Sequence, residues 1–362
     1  MKAAIFHGPH HRLSIEETSI ANPGPREVLI RTAAVGLCHS DLHFIDGLYG
    51  HEAPAVLGHE AAGVVEKVGS EVRGLEPGDH VITCLSVFCG HCGFCTTGRP
   101  FNCDHQHETR RRGDEAPRLS LGEREVQQFY DLSAFAEQML VHEHAVVRIR
   151  KDMPLDRAAL IGCAVTTGMG AVTNTARIEV GSTVAVIGCG GVGLSAINGA
   201  AIAGAGRIIA IDVQDGKLDL ARSFGATDTL NATGCDPVEA VRDLTGGGVD
   251  YSFEALGLKR TSEQAYDMLR RSGVATIIGM LPEGEKLELD GVSLLYDKRI
   301  QGSNMGSNRF RVDMPRYVDF YLAGRLHLDR MISKRIRLDQ INEGFDDLRS
   351  GLLARSVITF PG

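Results

Sequence analysis

The sequence predicts a two-domain α/β protein, in which a β-rich domain is joined to a doubly wound parallel sheet. The first part of the chain has short strands rich in Val and Ile between Gly- and His-rich turns, as in residues 26–36 and 61–68. From about residue 165, strand-like runs alternate with helical stretches, which is typical of a parallel sheet covered on both faces. A length of 362 residues also favours two domains over one.

The individual elements follow from hydrophobic patterning. A Pro-Gly turn in residues 74–82 precedes a further strand of the β-rich part. Four apolar runs predict strands of the parallel sheet, at 183–188, 207–212, 251–256 and 274–279. Helices are predicted at 215–226, 259–273 and 312–325, and a strand at 356–362. The part of the chain after about residue 306 does not continue the alternation of strands and helices.

Composition and charge argue against two classes of partner. The formal net charge is −8 and there is no basic stripe, so neither DNA nor RNA is expected to bind. Residues 110–112 are three arginines between acids, which predicts a solvated loop. Residues 183–206 carry no charge, but they are crowded with glycine, so we expect a buried strand and helix and no membrane partner. Residues 1–11 lack the apolar stretch of a signal peptide, which favours a cytoplasmic protein.

A dinucleotide site is predicted where the second part begins. Gly188, Gly190 and Gly193 occupy the G-x-G-x-x-G positions between an apolar strand and an apolar helix. The first glycine permits the tight turn, the second lets backbone amides approach the pyrophosphate, and the third lets helix and strand pack closely. The next strand ends in Asp212, where an acid binds the adenosine ribose hydroxyls. Because this acid would repel a 2′-phosphate, the motif predicts a Rossmann domain that binds NAD.

Four cysteines lie close together in the stretch CGHCGFCTTGRPFNC, which we call the cysteine lobe (Cys89–Cys103). They are Cys89, Cys92, Cys95 and Cys103. In a reducing compartment such spacing favours a metal over disulfides, and four thiolates would fill the shell of a tetrahedral zinc. The lobe therefore predicts a structural zinc site, with an iron–sulfur cluster and a redox or disulfide role as the alternatives. The nearby His91, His105 and His107 are interpreted as surface histidines.

A second, dispersed set of metal ligands is present. Cys38 lies on one loop, His59 and Glu60 on another, and Cys163 at the junction of the two parts. Each has an ordinary structural interpretation by itself. Together, two Cys and one His form an open zinc site with a fourth position for substrate, and this ligand set is the one known from alcohol dehydrogenase.

The sequence resembles the zinc-dependent medium-chain alcohol dehydrogenases, specifically the branch of the dimeric class I and class III enzymes. The motifs that carry the resemblance are GHEAAGVVEKVG, the cysteine lobe, GCGGVGLS and RSVITF, and it covers essentially the whole chain. The resemblance implies a GroES-like catalytic domain at 1–164 and 306–362 and a Rossmann NAD-binding domain at 165–305. It also implies one catalytic and one structural zinc per chain.

The resemblance further implies a role for individual residues. Cys38, His59 and Cys163 would hold the catalytic zinc, with Glu60 as an occasional alternative ligand. Asp41 would orient His59, while Ser40 would bond the alcohol and start a proton relay that ends at His43. The cofactor would be bound by the motif glycines with Gly191, by Val192 at the nicotinamide, by Asp212 and Lys217 at the adenosine ribose, and by His39 and Arg355 at the pyrophosphate.

The expected reaction is the reversible, NAD-linked oxidation of alcohols to aldehydes or ketones by hydride transfer. The pocket implied by the resemblance is largely apolar and suits primary alcohols, with aromatic and secondary ones as further candidates. Its residues are Leu85, Phe129, Tyr130, Met280 and Asn304. The alternative is the class III oxidation of an S-(hydroxymethyl)thiol, but the anion-binding pair of that class is replaced here by Tyr49 and His107. A zinc-ribbon nucleic-acid-binding protein is disfavoured by the net charge and the dinucleotide motif.

Residues 104–132, which we call the connecting segment, read as a long polar loop after the cysteine lobe. Dimeric members of the family carry such an insertion and tetrameric members lack it. The expected assembly is therefore a homodimer, with an interface near residues 295–310.

Overall fold

The computed structural model describes residues 1–351 and 355–361. The chain divides into two units, which are Met1–Cys163 with Arg309–Gly362 (unit 1) and Ala164–Asn308 (unit 2). The boundaries lie within three residues of those expected from the sequence.

The first part of unit 1 consists mainly of short strands. They are β1 (Lys2–Phe6), β2 (Ser14–Glu17), β3 (Ser19–Ile20), β4 (Glu27–Gly36), β5 (Ala55–Val56), β6 (Glu60–Val68), β7 (His80–Thr83), β8 (Leu119–Leu121), β9 (Arg124–Glu125), β10 (Gln127–Gln128), β11 (Gln138–His142) and β12 (Val146–Ile149). Three short helices accompany them, α1 (His39–Ile45), α2 (Gly93–Thr96) and α3 (Leu155–Leu160).

The central strand of unit 1 is β4. It is almost entirely buried and pairs with both β6 and β11, so its apolar side chains face the core. The main sheet runs in the order β12-β7-β6-β4 and continues through two strands from the end of the chain, β20 (Arg355–Thr359) and then β19 (Ile332–Ile336). A second sheet, β10-β5-β1-β2, covers the same core, where the rings of Phe135 and Phe345 meet edge to face at 5.8 Å.

The connecting segment is more ordered than the long polar loop that the sequence predicts. It contains β8, β9 and β10, and the buried carboxylate of Glu27 fixes it to β4. Arg111 Nη2 donates to Glu27 Oε2 at 2.6 Å, and Arg118 Nε donates to Glu27 Oε1 at 2.7 Å. The guanidinium of Arg110 forms two hydrogen bonds to the Asp131 carboxylate. The arginine triplet is therefore partly structural, because a buried acid 84 residues away from Arg111 needs cationic partners.

Unit 2 is a doubly wound parallel sheet, as the alternating pattern predicts. Its strands are β13 (Thr183–Ile187), β14 (Arg207–Asp212), β15 (Asp228–Asn231), β16 (Val249–Glu254), β17 (Leu269–Ile277) and β18 (Arg299–Gly302), in the order β15-β14-β13-β16-β17-β18. Its helices are α4 (Thr166–Gly170), α5 (Gly191–Ala203), α6 (Asp215–Ser223), α7 (Pro237–Thr245) and α8 (Lys259–Asp267). All five strand pairs are parallel.

All three predicted helices end earlier than expected, and the one predicted over 312–325 stops at Leu322. The helix predicted over 259–273 stops at Asp267, because the chain from Leu269 onwards pairs with β16 as β17. Helix α6 stops at Ser223, just before Gly225, whose φ of 112° is incompatible with a right-handed helix.

The end of the chain returns to unit 1. It contains α9 (Phe310–Leu322), β19 (Ile332–Ile336), α10 (Ile341–Ser350) and β20 (Arg355–Thr359). Strand β20 is antiparallel to β4, with Val357 opposite Gly36, so Arg355 lies near the loop that follows β4. Across 1–351 and 355–361, no helix combines the length and apolarity needed to cross a bilayer.

Candidate metal centre and dinucleotide site

Three of the predicted ligands, Cys38, His59 and Cys163, come together in unit 1, and we call them the three-donor cluster. Their donor atoms all lie within 4.8 Å of one another, and all three side chains are buried. The two sulfurs are 4.0 Å apart, and His59 Nε2 is 3.2 Å from Cys163 Sγ. Thiolates bound to a tetrahedral zinc at about 2.3 Å would be about 3.8 Å apart, so the donor set fits this metal.

The orientation of His59 is fixed by the buried carboxylate of Asp41. Asp41 Oδ1 lies 3.1 Å from His59 Nδ1 and also accepts a hydrogen bond from the Gly58 backbone amide at 3.1 Å. Its other oxygen accepts from the Cys38 amide at 3.3 Å. One carboxylate therefore joins the loops that carry two of the donors and leaves His59 Nε2 directed at Cys163.

Glu60 and Arg355 form a buried carboxyl–guanidinium pair behind the three-donor cluster. Arg355 Nη2 lies 3.3 Å from Glu60 Oε2 and 3.8 Å from Cys38 Sγ, and Nη1 donates to the Leu37 carbonyl at 2.8 Å. Burial raises the pKa of Glu60 to about 8. Glycine at residue 36 leaves room for this carboxylate, since a Cβ there would lie 2.4 Å from Glu60 Oε1. In this structure the Arg355 guanidinium is directed at Glu60 and Cys38, while its contact with a pyrophosphate remains a prediction.

The residues of the predicted proton relay lie on α1. Ser40 and His43 are both half-buried and three residues apart, so they share one face of the helix. Ser40 Oγ is 3.7 Å from Cys38 Sγ, and the His43 ring meets the Tyr49 ring edge to face at 6.1 Å. His39, also on α1, is exposed. A hydroxyl next to the three-donor cluster is thus followed one helical turn later by an imidazole.

Aromatic rings cover one side of the three-donor cluster. The rings of Phe129 and Tyr130 both lie 5.9 Å from the His59 ring, and Phe44 packs edge to face on Phe129 at 4.8 Å. Tyr130 and Asp131 have positive φ angles of 49° and 59°, which are uncommon outside glycine. The sequence reasoning missed Phe44 and the Arg110–Asp131 ion pair that holds this backbone, because no local pattern marks contacts between distant residues.

The remaining predicted pocket residues differ in their surroundings. Leu85 is half-buried and packs against the core of unit 1. Met280 and Asn304 belong to unit 2, where both are exposed. Their part in a substrate pocket remains a prediction.

The cysteine lobe brings its four sulfurs together. Cys92 Sγ is 3.4 Å from Cys95 Sγ and 3.9 Å from Cys103 Sγ, and Cys89 Sγ is 3.9 Å from Cys95 Sγ. The backbone amides of Cys92 and His91 point at Cys89 Sγ, as expected around a thiolate. All four cysteines are free of disulfides. Four convergent sulfurs at these spacings fit a tetrahedral zinc and leave no position for another ligand.

The glycine motif of unit 2 has the geometry expected of a pyrophosphate site. Gly188 has φ of 92°, and a Cβ on Gly193 would lie 1.7 Å from the Gly188 carbonyl oxygen. A Cβ on Gly190 would meet no atom within 4 Å, so that side of the turn is open. Gly191 begins α5, whose N-terminus favours an anion, and Val192 is half-buried behind it.

Asp212 is placed at the end of β14 next to this turn. Its carboxylate accepts hydrogen bonds from the backbone amides of Cys189, Val213 and Gln214 at 2.8–3.1 Å. Lys217 is half-buried on α6, the helix that follows. The carboxylate is thus held in place by the backbone next to the turn that would receive the dinucleotide.

Comparisons with known proteins agree with this geometry. Residues 24–151 match the alcohol dehydrogenase GroES-like domain, and residues 191–322 match the zinc-binding dehydrogenase family. The chain is 38% identical to a probable S-(hydroxymethyl)glutathione dehydrogenase 1 of Schizosaccharomyces pombe, over 99% of this chain and 96% of that protein.

Solved structures give the same result over the whole chain. An alcohol dehydrogenase zinc-binding domain protein of Burkholderia ambifaria superposes with a TM-score of 0.95 at 37% identity, covering 100% of this chain and 99% of the other. Benzyl alcohol dehydrogenase of Acinetobacter calcoaceticus superposes with a TM-score of 0.94 at 32% identity, covering 99% of each. The chain therefore belongs to the zinc-binding alcohol dehydrogenase family, whose members are oxidoreductases that use zinc and a nicotinamide dinucleotide.

Proposed function

We propose that the catalytic zinc of this alcohol dehydrogenase is held by Cys38, His59 and Cys163, and the structural zinc by the cysteine lobe. The observation that carries the proposal is the number of donors. Three donors converge in the first site, so a tetrahedral ion there keeps one position for substrate, whereas four sulfurs fill the shell in the lobe.

When bound, zinc polarises the alcohol oxygen and the nicotinamide accepts the hydride. The chain's own residues handle the proton and exclude water. Ser40 Oγ, beside Cys38, would accept the proton of the alcohol and start the relay, and His43, one turn further along α1, would end it. Phe129 and Tyr130 cover the approach to His59 with apolar surface. Asp41 keeps the His59 ring oriented throughout, and Glu60 is available behind the ligands as an alternative donor.

We further propose that the dinucleotide is NAD, bound by Gly188, Gly190 and Gly193 with Gly191 and Val192. Asp212 supports this choice, because its fixed carboxylate would accept hydrogen bonds from ribose hydroxyls and repel a 2′-phosphate. Lys217 would accompany it, and His39 and Arg355 would neutralise the pyrophosphate.

The proposed substrates are primary alcohols, aromatic ones included. The aromatic side chains of Phe44, Phe129 and Tyr130 near His59 support an apolar substrate, and a benzyl alcohol dehydrogenase is among the similar structures. Leu85, Met280 and Asn304 would complete the pocket. Oxidation of S-(hydroxymethyl)glutathione is the second candidate, because relatives carry that name. Against it, Tyr49 and His107 stand where class III enzymes bind the anion.

A substrate screen tests these assignments together. We expect kcat/KM to be highest for benzyl alcohol or another primary alcohol with NAD, and to fall with NADP and with S-(hydroxymethyl)glutathione. Zinc quantitation on the same preparation should give two ions per chain. A preference for S-(hydroxymethyl)glutathione would instead establish the class III activity.

The assembly and compartment are part of the same proposal. We propose a cytoplasmic homodimer without a nucleic-acid or membrane partner. The edge strand β18 and the exposed Leu294 and Leu295 before it support an interface near residues 295–310. The molar mass from light scattering should correspond to two chains, and a mass of one or four chains would refute the dimer.

A further inference from the structure

The surface of the cysteine lobe carries a second set of metal-binding side chains outside the proposed zinc site. His91 and His105 are both exposed, and Glu108 lies between them. Glu108 Oε2 is 2.6 Å from His91 Nε2, and Glu108 Oε1 is 3.8 Å from His105 Nδ1. The two imidazole rings are 6.0 Å apart, and the ring of His107 lies 5.9 Å beyond His105.

We propose that His91, His105 and Glu108 form a binding site for an additional divalent transition-metal ion such as Zn²⁺. Ligands of one zinc are separated by roughly 3.0–3.6 Å, given Zn–N and Zn–O bonds of about 2.0–2.2 Å. The observed separations of 2.6 and 3.8 Å lie on either side of this range. The two contacts use different oxygens of Glu108, so rotation of these exposed side chains is needed to bring one donor atom of each residue onto one ion.

The backbone around this site is already ordered. His91 lies between Cys89 and Cys92, and His105 follows Cys103 by two residues. Cys92 Sγ and Cys103 Sγ are 3.9 Å apart, so the structural zinc would cross-link the two segments that carry the histidines. The additional site thus rests on the proposed structural zinc, which reduces the conformational entropy lost when the second ion binds.

The chemical types of the three ligands determine which metal ions this site would bind. Two imidazoles and a carboxylate suit Zn²⁺, Ni²⁺ and Cu²⁺, whereas Mg²⁺ and Ca²⁺ prefer shells made only of oxygen. Cys89 Sγ lies within 4.8 Å of a nitrogen of each histidine. We assign it to the structural zinc alone, because it is one of the four sulfurs that fill that shell.

Another pair on the surface provides a matched control. His7 Nε2 lies 2.6 Å from Glu16 Oε1, the same separation as in the His91–Glu108 pair, and both residues of this pair are also partly exposed. No second histidine is recorded in contact with the His7–Glu16 pair in the described part of the chain. It therefore shows what a single His–Glu pair contributes to metal binding.

The experiment is equilibrium dialysis of the intact enzyme against micromolar free Zn²⁺, followed by metal quantitation. We expect three ions per chain for the wild type and His7→Ala, and two for His91→Ala and Glu108→Gln, whose affinity for the added ion falls by about tenfold or more. Two ions in the wild type, or equal uptake by wild type and His91→Ala, would overturn the site. So would a loss of the third ion in His7→Ala.

A thermal melt of each variant shows that the lobe is still folded. If His91→Ala unfolds, the zinc uptake of Glu108→Gln tests the additional site instead. This variant changes no residue next to a cysteine ligand. Failure of the proposed structural zinc is recognised separately, since the untreated enzyme would then contain fewer than two ions per chain.

Discussion

The cysteine lobe and the three-donor cluster use similar atoms in opposite ways. The sulfurs of the lobe come from fifteen consecutive residues, whereas the donors of the cluster are separated by up to 125 residues and are all buried. The lobe completes its own coordination shell, and the cluster leaves one position open. A site made from neighbouring residues can stabilise a loop by itself, while a reactive site needs a folded domain to assemble it and keep water out.

The sharpest test of this contrast is the loss of a donor from the cluster. Cys163→Ser should lower kcat/KM by more than about a thousandfold, beyond the 10–100-fold typical of a lost supporting residue. Zinc content should fall from two to one per chain. Stopped-flow or steady-state rates, zinc quantitation and a melting curve provide the measurement, with Cys235→Ser, an exposed cysteine outside both sites, as the control. Retention of full activity by Cys163→Ser would remove it from the catalytic site.

A smaller effect is expected from Asp41→Asn, which keeps the shape of the side chain and removes its charge. The variant should lose about 10–100-fold in metal affinity at the cluster, because His59 is no longer held by a carboxylate. Competition with a chelator measures this, and the zinc of the lobe serves as the internal reference. Asp46→Asn, at the end of the same helix, should behave like wild type. Equal loss from both zinc sites would contradict a local role for Asp41.

Loss of a zinc ligand from the lobe should lower the thermal stability of the protein but leave the catalytic rate unchanged. Cys95→Ser removes one of four sulfurs, so the lobe should lose its zinc and the melting temperature should fall by about 5–10 °C, as expected for a loss of a few kcal/mol. The kcat per zinc retained in the cluster should remain close to that of wild type below the transition. If kcat falls as strongly as in Cys163→Ser, the division between structural and catalytic sites is wrong.

The connecting segment leads from the lobe to the aromatic rings over His59, and Glu27 fixes it in place. Burial alone would raise the pKa of Glu27, but the hydrogen bond from Arg111 and the charge of Arg118 outweigh it and lower the pKa to about 2. The ordinary value is 4.5, so the shift corresponds to about 3 kcal/mol of stability at neutral pH. Because the folded state binds the proton less readily, this contribution is present above pH 4.5 and is lost as the pH falls towards 2.

Urea unfolding of wild type and Glu27→Gln between pH 7 and pH 3 tests this stability difference. The wild type should be more stable near neutrality, and the difference in free energy of unfolding should shrink once the pH passes below about 4.5. Glu125→Gln, an exposed acid on the same segment, is the control. A constant difference across the range would mean that the Glu27 carboxylate does not stabilise the fold through its charge.

Features marked by a contiguous sequence pattern could be predicted, whereas features formed by residues far apart in the sequence could not. The turn at Gly188, Gly190 and Gly193 and the four cysteines were predictable, because each is a contiguous pattern with a physical requirement at every position. The three-donor cluster was found only through resemblance to a family, since spacing cannot reveal that Cys38 and Cys163 meet. The helix predicted over 259–273 was too long because pairing of Leu269 and its successors with β16 overrides local propensity.

The connecting segment shows the same limit. Its many charged residues predict a solvated loop, and nothing local indicates that Arg111 and Arg118 share a buried acid on β4. The left-handed backbone at Tyr130 and Asp131 was equally hidden, because neither residue is glycine. Contacts with residues that are distant in the sequence determine both features.

The place of β20 beside β4 has a consequence for biosynthesis. Every residue of Ala164–Asn308 leaves the ribosome before Arg355 and β20 do, so this unit is translated while the surrounding one still lacks its closing strand. Domains tend to fold as units during synthesis, so unit 2 is expected to fold first, with Cys38, His59 and Cys163 already made but not yet enclosed. All three donors are therefore translated before the strand that places Arg355 Nη2 3.8 Å from Cys38 Sγ.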